Sequence, residues 1–185
     1  MKPEPLPEKN LKKAIETKYN VERPKKVAIF DLDGTLFDTQ KRYNACLDEV
    51  HAKSLDELKG KPRVEFWECY QSEKYMDLDE PVRPVINMTK ELKKRDYMIV
   101  VLSGRMERQR EKTVEQLKKY DIPYDALILR KEGDFRKDYE YKWEVIKYYL
   151  SLGYKVVVFD DSEKVRELYP QGSYDPKNLP SPDEL

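Results

Sequence analysis

The chain is punctuated by short apolar runs that end in polar residues. Val27-Ala28-Ile29-Phe30 is the first, followed by Met98-Ile99-Val100-Val101-Leu102, Ala126-Leu127-Ile128-Leu129 and Lys155-Val156-Val157-Val158-Phe159. Their length and β-branched content fit strands buried on both faces, as in a parallel sheet. The segments between them read as helices over about 84–95, 105–120 and 138–152, with a shorter one near 162–168. Strands alternating with helices predict an α/β domain: a Rossmann-like parallel sheet with helices on both faces.

The gap between the first two strands is long. Residues 39–80 predict two helices, about 40–52 and 62–75, broken by Gly60 and Pro62, and no strand. They read as a small helical cap inserted beside the C-terminal end of the first strand. Residues 1–24, with Pro3, Pro5, Pro7 and Pro24, read as an N-terminal arm. The domain proper runs over 25–185, and its last stretch, 170–185, reads as an extended tail with four prolines.

Composition narrows the classes. Thirty-six basic residues balance 36 acidic ones, so the chain lacks the net positive field of a general nucleic-acid binder. Binding one end of a nucleic acid through a local patch remains open. Two cysteines, Cys46 and Cys69, make neither a disulfide framework nor a zinc site and read as buried thiols. No apolar run is long enough to span a membrane, and the N-terminus has no apolar signal core. The expectation is a cytoplasmic protein with no membrane partner. Abundant charged residues with few Asn and Gln are a thermophile bias.

In open parallel sheets, ligands bind outside the carboxyl ends of the strands. Three of these strands end in chemistry: the first in Asp31 and Asp33, the second in Ser103-Gly104-Arg105, the last in Asp160-Asp161. Asp31 and Asp33 are two apart on an extended chain, so their side chains can face one side. Asp31 can attack phosphorus while Asp33 protonates the leaving oxygen and then activates water. Gly34 permits the sharp turn that follows. Oxygens from Asp31, Asp33, Asp160 and Asp161 suit magnesium, whose charge offsets the repulsion between a carboxylate and a phosphate dianion. Ser103 can donate to a phosphate oxygen, Gly104 exposes an amide at the predicted helix start, and Arg105 offers a fork of donors. A lysine from the Gly133–Lys142 segment completes the set. Asp138 and Lys142 share a helix face, and Lys137 is the rival.

Taken in order, DLDGT, LSGR, the Lys142 region and FDD resemble the four motifs of the haloacid-dehalogenase-like hydrolase superfamily over about residues 26–169. Thr35 in the first motif is similar to the phosphatase branch. The resemblance implies Asp31 as nucleophile, Asp33 as general acid/base, Ser103 on phosphate, and Lys142 steadying the intermediate. It implies Asp160 and Asp161 on magnesium, with Asp33 contributing a backbone carbonyl. A narrower likeness, LSGR, then LRKEGDFRKDYEYK, then VVVFDD, resembles the phosphatase domain of phage-type polynucleotide kinase 3′-phosphatases. That likeness selects Lys142 over Lys137 and adds Asp138 and Arg105 to the site, beside Thr35, Ser103 and Gly104 as phosphate or substrate contacts. The expected substrate is a nucleic-acid 3′-phosphate end or a nucleotide, with a small metabolite phosphate as the alternative. An inactive binding module and a phospho-receiver are the non-hydrolase readings; filled motifs argue against the first, and Asp33 against the second.

Other residues read more plainly. His51 falls in a predicted helix away from the strand ends. Phe66, Trp67 and Tyr70 have the spacing of core packing, with base stacking as the second reading. Arg130, Lys131, Arg136 and Lys137 form a basic run broken by Glu132, Asp134 and Asp138.

Overall fold

A computed structural model describes residues 25–185; the arm assigned to residues 1–24 lies outside the described residues. The apolar runs form β1 (Lys26–Phe30), β4 (Tyr97–Met106), β5 (Ala126–Arg130) and β6 (Lys155–Phe159). With β7 (Ser173–Tyr174) they make one sheet in the order β5-β4-β1-β6-β7, and every pairing is parallel. The tail is therefore not merely extended, because Ser173 and Tyr174 add an edge strand beside Val158 and Phe159.

Alternation along β1 explains the layers. Ala28 and Phe30 enter a core shared with Val85, Ile86 and Leu92 of α3 (Arg83–Lys94) and Leu117 of α4 (Arg110–Lys119). Val27 and Ile29 enter the opposite core, with Tyr141, Ile146 and Tyr149 of α5 (Asp138–Ser151) and Val165 of α6 (Glu163–Leu168). A strand apolar on both faces must be covered on both, and helices do this here. Moving outward from β1, the chain goes to β4 and β5 on one side and to β6 and β7 on the other. The junction of β1 and β6 is the switch point at which such sheets open a crevice.

The insert contains α1 (Gln40–Glu49) and α2 (Lys61–Tyr70). Two features there differ from the sequence reading. β2 (Phe37–Asp38) pairs antiparallel with β3 (Glu80–Pro81) and closes the base of the insert. Two-residue strands carry no alternation to detect. Cys46 and Cys69 are not free thiols but a disulfide joining α1 to α2, inside a small core with Leu47, Leu58 and Phe66. They stand 23 positions apart, which hides the pairing from local pattern. A disulfide departs from the cytoplasmic expectation except in thermophile-type proteins. His51 lies past the end of α1, with φ of 53°. No helix among the described residues is long and apolar enough to cross a membrane.

Candidate active site

The β1 strand delivers Asp31 to the switch point. Its amide donates to the Phe159 carbonyl at 3.0 Å, which ties the end of β1 to the end of β6. The chain then turns back, with Thr35 and Phe37 amides both donating to the Leu32 carbonyl. Gly34 sits in that turn with φ of 86°, and a Cβ there would lie 2.2 Å from an Asp161 carboxylate oxygen. Glycine is required both for the backbone angle and for the approach of Asp161.

Asp31, Asp160 and Asp161 each offer an oxygen within 4.8 Å of the others. Lys142 extends from α5 into this group, with Nζ 2.9 Å from Asp31 Oδ1, 2.8 Å from Asp160 Oδ2 and 3.1 Å from Asp138 Oδ2. Lys142 is buried, while Lys137 is exposed at the start of α5. Burial disfavours the Lys142 ammonium, but Asp31 and Asp160 outweigh it and hold the lysine charged well above its usual range. The reverse holds for Asp31. Burial and then the neighbouring Asp160 push its carboxyl up, and Lys142 only partly offsets them.

Three carboxylates against one ammonium leave excess negative charge, with Asp31 and Asp160 buried and Asp161 exposed. This donor set fits a divalent cation that prefers hard oxygen ligands, as magnesium does. The Asp33 carboxylate is not in the group. Its side chain turns toward two arginines instead. Only the backbone carbonyl implied by the resemblance remains as its contribution.

Those arginines form a second cluster. Asp33 Oδ1 accepts from Arg42 Nη2 at 2.7 Å and from Arg105 Nη2 at 2.8 Å. Asp79 lies across from it, 3.1 Å from Arg42 Nε and 3.1 Å from Arg105 Nη2. Burial would raise Asp33, but Arg105 and then Arg42 override it and hold the carboxyl below its ordinary range. Arg42 also rests on the Tyr70 ring, 4.5 Å from its centroid, and donates to the Tyr70 carbonyl.

Arg105 does not offer a free fork to phosphate. Its remaining donors are taken by Thr113 and Gln116, at 3.0 and 2.6 Å. It grips Asp33. The anion-binding helix start expected at Gly104 is also absent, since β4 runs on to Met106 and α4 begins at Arg110. Gly104 serves another need: a Cβ there would come within 2.7 Å of Asp138 Oδ1. Thr35 is fully buried, its hydroxyl facing Asp31 Oδ2 at 3.3 Å and accepting the Asp161 amide at 3.2 Å. It orients the acids and does not reach the cavity. Ser103 Oγ accepts the Arg105 amide at 3.0 Å, which leaves its hydroxyl proton to donate, and Ser103 lines the cavity.

Sequence reasoning missed Arg42 and Asp79. One buried arginine is not distinguishable by type among 36 basic residues. The available hint was position: Arg42 is four residues before Cys46, on the face of α1 that goes inside. Of the three aromatics of α2, Phe66 fills the insert core, Tyr70 carries Arg42, and Trp67 and Tyr70 line the cavity.

The fold recurs in haloacid-dehalogenase-like hydrolases. A member from Streptococcus pneumoniae is 12% identical with a TM-score of 0.58, over 82% of this chain and 83% of that one. A phosphoglycolate phosphatase predicted in Haemophilus somnus is 13% identical with a TM-score of 0.58, over 83% and 85%. At such identity the likeness shows the fold. The class these structures define is the haloacid-dehalogenase-like fold.

The family model for the polynucleotide kinase PNKP phosphatase domain matches residues 63–171, more than half of the chain, and the chain belongs to that family. The Pnkp1 structure from a Pnkp1/Rnl/Hen1 RNA repair complex is 28% identical with a TM-score of 0.59, covering 82% of this chain and 42% of that one. The chain thus spans less than half the length of that neighbour. No curated protein sequence matches it.

Proposed function

We propose that this domain removes phosphate from nucleic-acid 3′ ends through an aspartyl-phosphate on Asp31, with magnesium as cofactor. The observation that carries the reading is Asp31 at the crevice, held 2.9 Å from a buried, charged Lys142 within a group of three acids. Asp31, Asp160 and Asp161 would hold magnesium, which when bound would offset the repulsion between Asp31 and the phosphate.

Asp31 attacks phosphorus and the bond to the leaving oxygen breaks. Asp33 gives that oxygen a proton. In the second half, Asp33 takes a proton from water, the water oxygen attacks phosphorus, and the bond to Asp31 breaks, releasing inorganic phosphate. The arginines favour the ionised form of Asp33 needed for the second half. An arriving phosphate dianion raises the proton affinity of Asp33 by like-charge repulsion, which favours the acid form needed first. Lys142 steadies charge on Asp31 and the transferring group, and Ser103 donates to a phosphate oxygen.

The 3′-end substrate draws on the family and on a cavity of about 1100 Å³ that extends from Asp31 to the 132–137 loop. That is larger than a free phosphate needs. The test is phosphate release from a 3′-phosphorylated oligonucleotide beside nucleoside 5′-monophosphates, with and without magnesium. The expected result is metal-dependent release, faster from the oligonucleotide. Release only from the monophosphates would keep the chemistry and move the function to metabolites, a reading favoured by the insert helix α2 walling the cavity.

A further inference from the structure

Phe135 is 91% exposed on the loop between β5 and α5, and it lines the cavity that contains Asp31. An apolar ring in water forgoes the stabilisation that burial would bring. Its loop is nevertheless tied down on both sides of the ring. Arg130 Nη1 donates to the carbonyls of Asp134 and Arg136 at 3.4 and 2.7 Å, and Asp134 Oδ1 accepts the Arg136 amide at 3.1 Å. The backbone on either side of Phe135 is thus pinned while the ring stays uncovered.

A second aromatic reaches the same cavity from the insert. Trp67 is only partly buried, and the edges of Phe66 and Tyr70 fix its plane at centroid distances of 5.1 and 5.9 Å. The charges around the cavity do not suit a groove that tracks a phosphate backbone. Seven basic side chains line it, and so do seven acidic ones. Several cancel in pairs, Arg108 with Glu132 and Arg136 with Asp134 among them. What remains distinctive is the aromatic lining of the cavity that holds Asp31: Tyr70 carries Arg42, which leaves the Trp67 and Phe135 rings. Aromatic faces stack any base, whatever its sequence.

We infer that Phe135 and Trp67 form a stacking subsite for the base of the terminal nucleoside, so that the domain grips one nucleoside and little of the strand behind it. This inference rests on the 3′-end reading above. Binding by stacking over a charge-balanced surface releases few counterions, so it depends weakly on salt, unlike binding through many phosphate contacts.

The test compares thymidine 3′-phosphate, a 3′-phosphorylated hexanucleotide and the base-less sugar, 1,2-dideoxyribose 3-phosphate, in wild type and Phe135→Ala. In wild type, kcat/KM for thymidine 3′-phosphate exceeds that for the base-less sugar by about tenfold or more, the size of one stacked base. Phe135→Ala cuts that ratio by about tenfold, mainly through KM, and Phe135→Trp restores it. The hexanucleotide gains less than about tenfold over thymidine 3′-phosphate, and raising salt from about 50 to 200 mM costs it far less than the thousandfold of a many-phosphate binder. A Trp143→Phe variant, which leaves Trp67 as its only tryptophan, shows fluorescence quenching by thymidine 3′-phosphate and less by the base-less sugar.

Turnover of both 3′-phosphates with a base ratio unchanged in Phe135→Ala overturns the stacking subsite alone. A steep salt dependence with a large gain for the hexanucleotide overturns the single-nucleoside grip. Wild type that turns over neither 3′-phosphate overturns the 3′-end reading and this inference with it.

Discussion

Two charged clusters, about as different as two clusters of acids can be, lie on either side of the DLDGT turn. Around Asp31 there are three carboxylates and one ammonium, and the balance is negative. Around Asp33 two carboxylates meet two guanidiniums, and the balance is even. The acids respond oppositely. Asp31 is pushed up by burial and Asp160, while Asp33 is held down despite burial by Arg105 and Arg42. Two residues apart in sequence, they are set for different work by what surrounds them. The first cluster carries an excess of negative charge; the second is paired charge for charge.

The largest effect should come from the unbalanced cluster. Asp31→Asn should reduce turnover by more than about a thousandfold in a single-turnover assay, since a lost nucleophile removes the covalent route. Wild-type-like rates there would sink the mechanism. Lys142→Ala should cost roughly a hundredfold or more in kcat, and Lys137→Ala far less. The opposite order would mean that the exposed lysine does the chemistry.

The balanced cluster should show itself in stability as well as rate. Arg42→Met leaves Asp33 and Asp79 short of a partner in a buried setting, at a cost of about 3–5 kcal/mol in urea unfolding, provided the insert unfolds with the sheet. A loss under about 1 kcal/mol would mean that the packing of α1, not the ion pairs, holds the insert in place.

The smallest effect concerns pH. Because Asp33 is lowered when folded, its pairing adds stability above the unfolded carboxyl value of about 3.9. That contribution disappears as pH falls through the lower folded value. The melting-temperature gap between wild type and Asp33→Asn should therefore be widest near neutrality and close below about pH 4. A gap constant across that window would show that the substitution costs packing and not charge.

Much of this was legible in the chain. The apolar runs at 27–30, 98–102 and 155–159 fitted strands buried on both faces, and the acids after Phe30 and Phe159 followed at their ends. Asp138 and Lys142, four apart, do share a helix face, and Lys142 does reach Asp31. Arg105 was legible as a residue beside the site but not in its partners. A guanidinium serves a phosphate or a carboxylate equally well, and only Asp33, Asp79, Thr113 and Gln116 arriving from other elements decide which.

By itself the sequence determined the parallel sheet and the ordering of the acids along it, because burial and period act through neighbours a few residues away. Tertiary structure alone decided that Cys46 meets Cys69, that Arg42 reaches from the insert to Asp33, and that Phe135 stays uncovered while Phe66 does not. These depend on which distant groups come into contact. Charge pairing and exposure are properties of that contact and not of residue type.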